Sequence, residues 1–295
     1  MSIFPCWRAA LIAGCVLVAT GEELVPATPS APMEAAEEGS TTPTPPGRSR
    51  FWQRFSVYEP TYLLYEPFPD GDRRQNLKLQ ISVAFQVLGK DEEPHDGDDR
   101  ANGLYSTFTQ TSYWDVESES KPFLDSDYQA DLFWHQGLRP GVFGSEGLAV
   151  EGGIGHASNG REGEASRSLN VAFIRPIIRW DLDDTWWVRL SPRFHLYVDT
   201  LEENPEIRRY RGFVNFDGAL GLRDGLALAF RGRLGSEGDR GLLQTDLSYP
   251  LDEWTNGWLH GYVYVQGVWG WSESLLDYDQ RIKQPRLLIG LAFTR

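Results

Sequence analysis

Hydrophobic and polar positions alternate along much of the chain. In Leu77–Val87 (LKLQISVAFQV), Leu77, Leu79, Ile81, Val83, Phe85 and Val87 share one parity, while Lys78, Gln80, Ser82, Ala84 and Gln86 share the other. Val188–Val198 (VRLSPRFHLYV) repeats the pattern: Val188, Leu190, Phe194, Leu196 and Val198 alternate with Arg189, Ser191, Arg193, His195 and Tyr197. Near the C-terminus, RLLIGLAF sets Leu287, Ile289, Leu291 and Phe293 on one face. A period of two residues means β-strands with one apolar and one polar side. The segments run about ten residues between loops rich in Gly, Asp, Asn and Pro, the texture of a membrane barrel.

A soluble sandwich alternates in the same way, so other features must separate the two. The polar face carries Arg175, Arg179, Arg189 and Arg193, which suit a wet, charged lumen. Tryptophan and tyrosine cluster at strand ends (TWWVRL, YVYVQGVWGW), as aromatic girdles at two interfaces require. The N-terminus reads as a secretory leader over residues 1–20, with Arg8 followed by the apolar AALIAGCVLVA. LIAGC alternatively matches a lipoprotein box ending at Cys15. Both cysteines lie in this leader, so ordinary cleavage leaves no thiol for a disulfide or for catalysis. Residues 21–50 are rich in Pro, Thr, Ala and Glu without apolar periodicity and read as a disordered linker. From residue 51 to 295 the texture is uniform. At roughly 20 residues per strand and connection, it predicts an all-β, 12-stranded antiparallel transmembrane β-barrel. The net charge of −14, from 42 acidic and 28 basic residues, argues against a nucleic-acid partner, which needs a basic footprint.

Against this pattern, three polar residues stand out. Leu148, Val150, Gly152, Ile154, His156 and Ser158 share a parity, with Glu151 and Ala157 on the other. Asn170 shares its parity with Ala172, Ile174, Pro176, Ile178 and Trp180, opposite Arg175 and Arg179. With the charged side facing the lumen, His156, Ser158 and Asn170 project outward, and a hairpin connection from Asn159 to Leu169 lets Asn170 lie beside His156. A serine hydroxyl needs a base to take its proton, and the base needs a third group to fix its tautomer. An asparagine does this without placing a carboxylate beside hydrocarbon, where charge is costly. Spacing and parity alone also fit an ordinary polar hairpin end.

The stretch GHASNGREGEASRSLN, with TQTSYWDV, SKPFLDSDYQADLFW, VDTLEENPEIRRYRGF, LLQTDLSYP and ESLLDYDQ in the same order, resembles the outer-membrane phospholipase A family of Gram-negative bacteria. The likeness runs from about Tyr58 to Phe293. It implies a 12-stranded barrel in the bacterial outer membrane with an active site on its outer wall. Ser158 would be the nucleophile, His156 the base, Asn170 the residue orienting it, and the Gly160 N–H an oxyanion donor. The activity implied is calcium-dependent phospholipase A1/A2 and lysophospholipase hydrolysis of membrane phospholipids by a homodimer. Calcium ligands would be Ser120 of a second copy, the Arg161 carbonyl and Ser166. Glu203 would serve another calcium site in the monomer, and Gln110 would contact the second copy. His135, His195 and His260 read as structural. The competing reading is a non-catalytic outer-membrane barrel, a pore or a lapsed hydrolase.

Overall fold

A computed structural model of the chain describes residues 50–69, 75–89, 100–139 and 141–295. The leader at 1–20 and, but for Arg50, the linker at 21–50 lie outside the described residues. The strands are β1 (Phe55–Ser56), β2 (Tyr62–Tyr65), β3 (Leu77–Gly89), β4 (Gly103–Trp114), β5 (Phe123–Leu138), β6 (Gly147–Ser158) and β7 (Ser168–Asp181). They continue as β8 (Trp186–Leu190), β9 (Arg193–Tyr197), β10 (Val214–Leu222), β11 (Ala227–Leu234), β12 (Gly241–Pro250), β13 (Tyr262–Gly270) and β14 (Arg286–Ala292). Every pairing is antiparallel, and β2 bonds to both β14 and β3, so the sheet closes on itself. Closure matters because an open edge would leave backbone donors and acceptors unpaired in hydrocarbon.

Fourteen segments make twelve staves. β1 and β2 both run along β3 and form one interrupted stave. β8 and β9 form another, which the sequence pattern reads as a single strand. Ser191–Pro192 interrupts it, because proline has no N–H for the ladder. The register against β7 nevertheless continues unbroken, from Ile178↔Leu190 to Ile174↔Phe194.

Which face is buried decides between sandwich and barrel. On β6 and β7 the apolar Ile154 and Ile174 are 59% and 52% exposed, whereas Glu151 is fully buried. Leu196, Leu287, Ile289 and Leu291 likewise face outward, while Lys78, Gln80, Arg175 and Arg193 are buried. Apolar outside and charged inside is the sorting that a bilayer imposes.

Several of the buried charges are matched. Arg193 grips Asp131 through two bonds of 2.7 and 3.1 Å, and Arg231 bridges Asp217 and Glu59, each at 2.6 Å. Glu151 meets His135 at 3.3 Å and lies about one ion-pair distance from Arg175, at 3.9 Å. His195 faces the lumen as well, lining a cavity of about 170 Å³ behind the strand that carries His156. A larger cavity of about 680 Å³ lies toward the opposite end, so the large lumenal side chains fill the interior only in part.

The connections after β4, β6, β9 and β13 share one end of the barrel. There Leu169 and Val171 pack with Leu201, Ile207, Tyr210, Leu275 and Tyr278, an apolar cluster that folds the loops over the mouth. Glu273, in the connection between β13 and β14, contacts Lys78 at 3.2 Å and Arg286. Burial opposes its charge, but Arg286 and Lys78 outweigh that and hold its carboxyl at about 2.

Two outcomes follow for stability. Because the folded-state value of Glu273 is depressed, its contribution is fully present above about pH 4.5 and vanishes as pH falls toward 2. Over that window the wild type should lose on the order of 3 kcal/mol more than Glu273→Gln in guanidinium unfolding of the refolded barrel. Arg193→Met strands the Asp131 carboxylate and should cost about 3–5 kcal/mol, most of it recovered when Asp131→Leu is added, as double-mutant unfolding will read.

Candidate active site

The register of β6 against β7 sets His156 directly opposite Asn170. Directly opposed residues on one face have Cβ atoms about 5 Å apart, close enough for side chains to bond. Here the His156 Nδ1–H donates to Asn170 Oδ1 at 2.8 Å. The pair projects outward beside Ile154 and Ile174, on the face that meets lipid. Ser158 lies two residues further along the same face, opposite Tyr128 on β5 and Ser168 on β7. Among the described residues no hydrogen bond joins Ser158 to His156. Such bonds are often loose before substrate binds and tighten in the complex.

Two residues to which the sequence reading gave no role shape this site. One is Asp199, just past β9, whose Oδ2 accepts from the Asn170 backbone N–H at 2.6 Å and from its side-chain amide at 3.0 Å. Parity gives no hint of it. Only the pairing of β9 with β7, extended by the Val198 N–H to the Asn170 carbonyl at 3.0 Å, brings it there. The other is Asn159, which closes the β6–β7 connection. Its Oδ1 accepts from the Arg161 and Arg167 N–H groups at 3.3 and 3.0 Å, and its amide donates to the Ala165 carbonyl at 2.9 Å. The signal was visible in principle: asparagine at the start of a Gly-rich connection forms such turns.

Within this connection Gly160 has φ 66°, the left-handed region that favours glycine, and a Cβ there would meet the Tyr128 ring at 3.2 Å. The Arg161 side chain reaches back to Asp125 at 3.3 Å and to the Leu124 carbonyl, anchoring the loop to β5. Its own carbonyl and the Ser166 hydroxyl carry no hydrogen bond among the described residues. Two free oxygens in one stitched loop fit a hard cation such as calcium. Ser120 lies in the exposed turn between β4 and β5, which Asp115 organises by accepting from the Glu117 and Ser118 N–H groups. Glu203 is exposed in the connection after β9, beside the buried Asn204, which donates to the Ser168 carbonyl. No group of three or more His, Cys, Asp or Glu side chains placed to hold a metal ion occurs among the described residues. A cation held by the Arg161 carbonyl and Ser166 would be bound through carbonyl, hydroxyl and water oxygens.

Gln110 faces outward from β4. Its amide donates to Ser112 Oγ at 3.0 Å, and Ser112 shares a 2.9 Å hydrogen bond with Ser126 on β5. Polar groups on a lipid-facing wall are expensive unless they are paired, and this short ladder pairs them.

Fold and site together define an outer-membrane β-barrel that carries a serine, a histidine and an asparagine on its lipid-facing wall. The profile of the family described as Phospholipase A1 matches residues 53–293, and the chain belongs to that family. It is 27% identical to the phospholipase A1 of Escherichia coli strain K12 over 249 residues, covering 79% of each chain. It is 28% identical to that of Proteus vulgaris over 254 residues, again 79% of each. Among solved structures, Escherichia coli outer membrane phospholipase A superposes with a TM-score of 0.67 at 26% identity, covering 81% of this chain and 97% of that one. The calcium-bound dimer of the Salmonella typhi outer membrane phospholipase gives 0.66 at 25%, covering 81% and 91%. An asparagine-to-alanine active-site mutant of the Escherichia coli protein gives 0.67 at 25%, covering 83% and 94%. The chain is thus an outer-membrane protein of this family, and the barrel expected from the alternation is the family's barrel.

Asn159→Ala removes the stitching of the connection without touching the barrel ladder. Trypsin should then cut at Arg161 or Arg167 at least tenfold faster than in the wild type, while the barrel core stays protected.

Proposed function

We propose that this chain is a calcium-dependent phospholipase of the outer membrane, hydrolysing acyl esters of phospholipids and lysophospholipids through Ser158, His156 and Asn170. The observation that carries the reading is the 2.8 Å contact from His156 to Asn170 on the lipid-facing wall of a barrel in this family. A site so placed meets ester groups in the leaflet itself, and substrate never needs to enter the lumen.

In the reaction the Ser158 hydroxyl attacks the acyl carbonyl carbon as His156 Nε2 takes its proton. Asn170 Oδ1 accepts from Nδ1–H, which keeps Nε2 free as the base and steadies the imidazolium that forms. The negative oxygen of the tetrahedral intermediate faces the Gly160 N–H, a donor held ready by the stitched loop. Collapse of the intermediate expels the glycerol oxygen of the phospholipid, which takes the proton back from His156. Water then attacks the acyl-serine, losing its proton to His156, and fatty acid leaves as Ser158 recovers its hydrogen.

Calcium, when bound, supplies positive charge beside the developing oxyanion. The Arg161 carbonyl and Ser166 would hold it, with Ser120 of a second copy completing the set, so the active form is a homodimer. The calcium-bound dimer of the Salmonella typhi relative accords with this, and the active-site asparagine mutant of the Escherichia coli relative accords with the role of Asn170. Gln110 belongs to the face that meets the second copy. Glu203 is assigned to a separate calcium site of the monomer. Residues 1–20 act as the export leader and 21–50 as a tether preceding the barrel at 51–295.

The test is fatty-acid release from phospholipid by the refolded barrel in micelles. Ser158→Ala should lower the rate about a thousandfold or more, and excess chelator should abolish release until calcium is restored. A folded barrel that releases nothing in calcium is a non-catalytic member of the family. Release that survives Ser158→Ala within tenfold means that another group is the nucleophile.

A further inference from the structure

Asparagine is an ambiguous partner for a catalytic histidine. Its amide can present oxygen or NH2, and the two faces demand opposite tautomers of the imidazole. With oxygen toward His156, Nδ1 carries the proton and Nε2 is left as the base. With NH2 toward His156, Nδ1 must accept, the proton moves to Nε2, and the ring faces the serine with a donor. Something must choose between them.

The contacts of Asn170 make the choice. Asp199 Oδ2 accepts from both the backbone N–H and the side-chain Nδ2 of Asn170, at 2.6 and 3.0 Å. A carboxylate has no proton to donate, so only the NH2 face can turn toward it, and Oδ1 is left to face His156 Nδ1 at 2.8 Å. The backbone supports the geometry. β9 pairs with β7 up to Val171↔Tyr197, and the Val198 N–H then bonds the Asn170 carbonyl, which delivers the next residue, Asp199, to the amide. The other carboxylate oxygen, Oδ1, is buried with no hydrogen-bond partner. Serine or threonine could accept from a backbone N–H here without that desolvation cost. Keeping a carboxylate at such a cost points to use of its strictly accepting character.

We infer that Asp199 is a positioning residue that locks the Asn170 amide and thereby fixes the tautomer of His156, making the site a relay of four residues rather than three. The inference rests on the proposed roles of Ser158, His156 and Asn170, and it adds one that neither parity nor family motif supplied. Asp199 touches no reacting atom and acts only through Asn170.

The test uses the full barrel refolded in micelles with 15N-labelled histidine. The chain has five histidines, and the His156 signals are identified by their loss in His156→Ala. In the wild type the two ring nitrogens of neutral His156 should show a single Nδ1–H tautomer. In Asp199→Ala they should shift toward a mixture, and kcat should fall roughly 10–100-fold while KM stays within about twofold, the pattern of an interaction felt in the transition state. Asp199→Asn, whose carbonyl can still accept from Asn170, should hold the tautomer and keep kcat within about fivefold. It also serves where the alanine variant folds poorly. An unchanged tautomer in Asp199→Ala, or a kcat within threefold of wild type, overturns the inference. Equal loss in Asp199→Asn and Asp199→Ala with the tautomer intact does so as well. The tautomer needs no turnover to be read. If Ser158→Ala leaves release intact, the catalytic reading fails separately. If Ser158→Ala abolishes release and Asp199→Ala does not, only the fourth residue is lost.

Discussion

A backbone surrounded by hydrocarbon has no water to bond, so every N–H and C=O must find a partner within the protein. Closing the sheet through β2, with β3 on one side and β14 on the other, meets that demand, and the rest of the molecule follows from it. The outer face must be apolar, so the polar half of each strand turns inward and the lumen holds arginines and carboxylates, several of them paired. A polar side chain left on the outer face is then an exception that needs a partner. His156 and Asn170 partner each other, and Gln110, Ser112 and Ser126 form a second satisfied group. These two groups coincide with the proposed chemistry and the proposed contact with a second copy.

The loops at the site end are ordered by a different means. An apolar cluster built on Leu201, Ile207, Tyr210, Leu275 and Tyr278 seals the mouth and ties the connections after β9 and β13 to the root of β7. This packing holds the start of the β9–β10 connection against Asn170, and buried Asn204 reaches the Ser168 carbonyl from the same segment. The Gly-rich connection after β6 relies instead on polar side chains, with Asn159 bonding within it and Arg161 tying it to β5. Rigid staves thus carry the histidine and its partners, while a stitched loop carries the proposed oxyanion donor and cation oxygens.

Much of the barrel was legible because period-two alternation translates directly into two faces, as the buried Lys78, Gln80, Arg175 and Arg193 and the exposed Leu196, Leu287, Ile289 and Leu291 show. The outward placement of His156 and Asn170 was legible for the same reason. What alternation cannot encode is a contact made across the sheet by the end of a distant segment. Asp199 lies 29 positions from Asn170, and its role depends on β9 lying beside β7. The break at Ser191–Pro192 was equally hidden, since Pro192 sits on the outward parity where an apolar ring fits the pattern and only its missing N–H disturbs the ladder. The role of Asn159 was hidden because its bonds to Arg161, Ala165 and Arg167 depend on how the connection folds back on itself, which parity does not encode.

One feature of β6 gives the wall an unusual electrical character. Gly155 has no side chain, and a Cβ there would fall 2.2 Å from Asp131 Oδ1 and 2.9 Å from Arg193 Nη2. The lumenal ion pair is thereby pressed against the backbone directly behind His156. Imidazole and ion pair are separated by a single layer of peptide, a medium that screens charge far less than water does. The histidine on the lipid side therefore sits in the field of charges that lipid never meets. The wall behind the proposed reacting surface is thus only one peptide layer thick, and its inner side is lined by residues that no substrate touches.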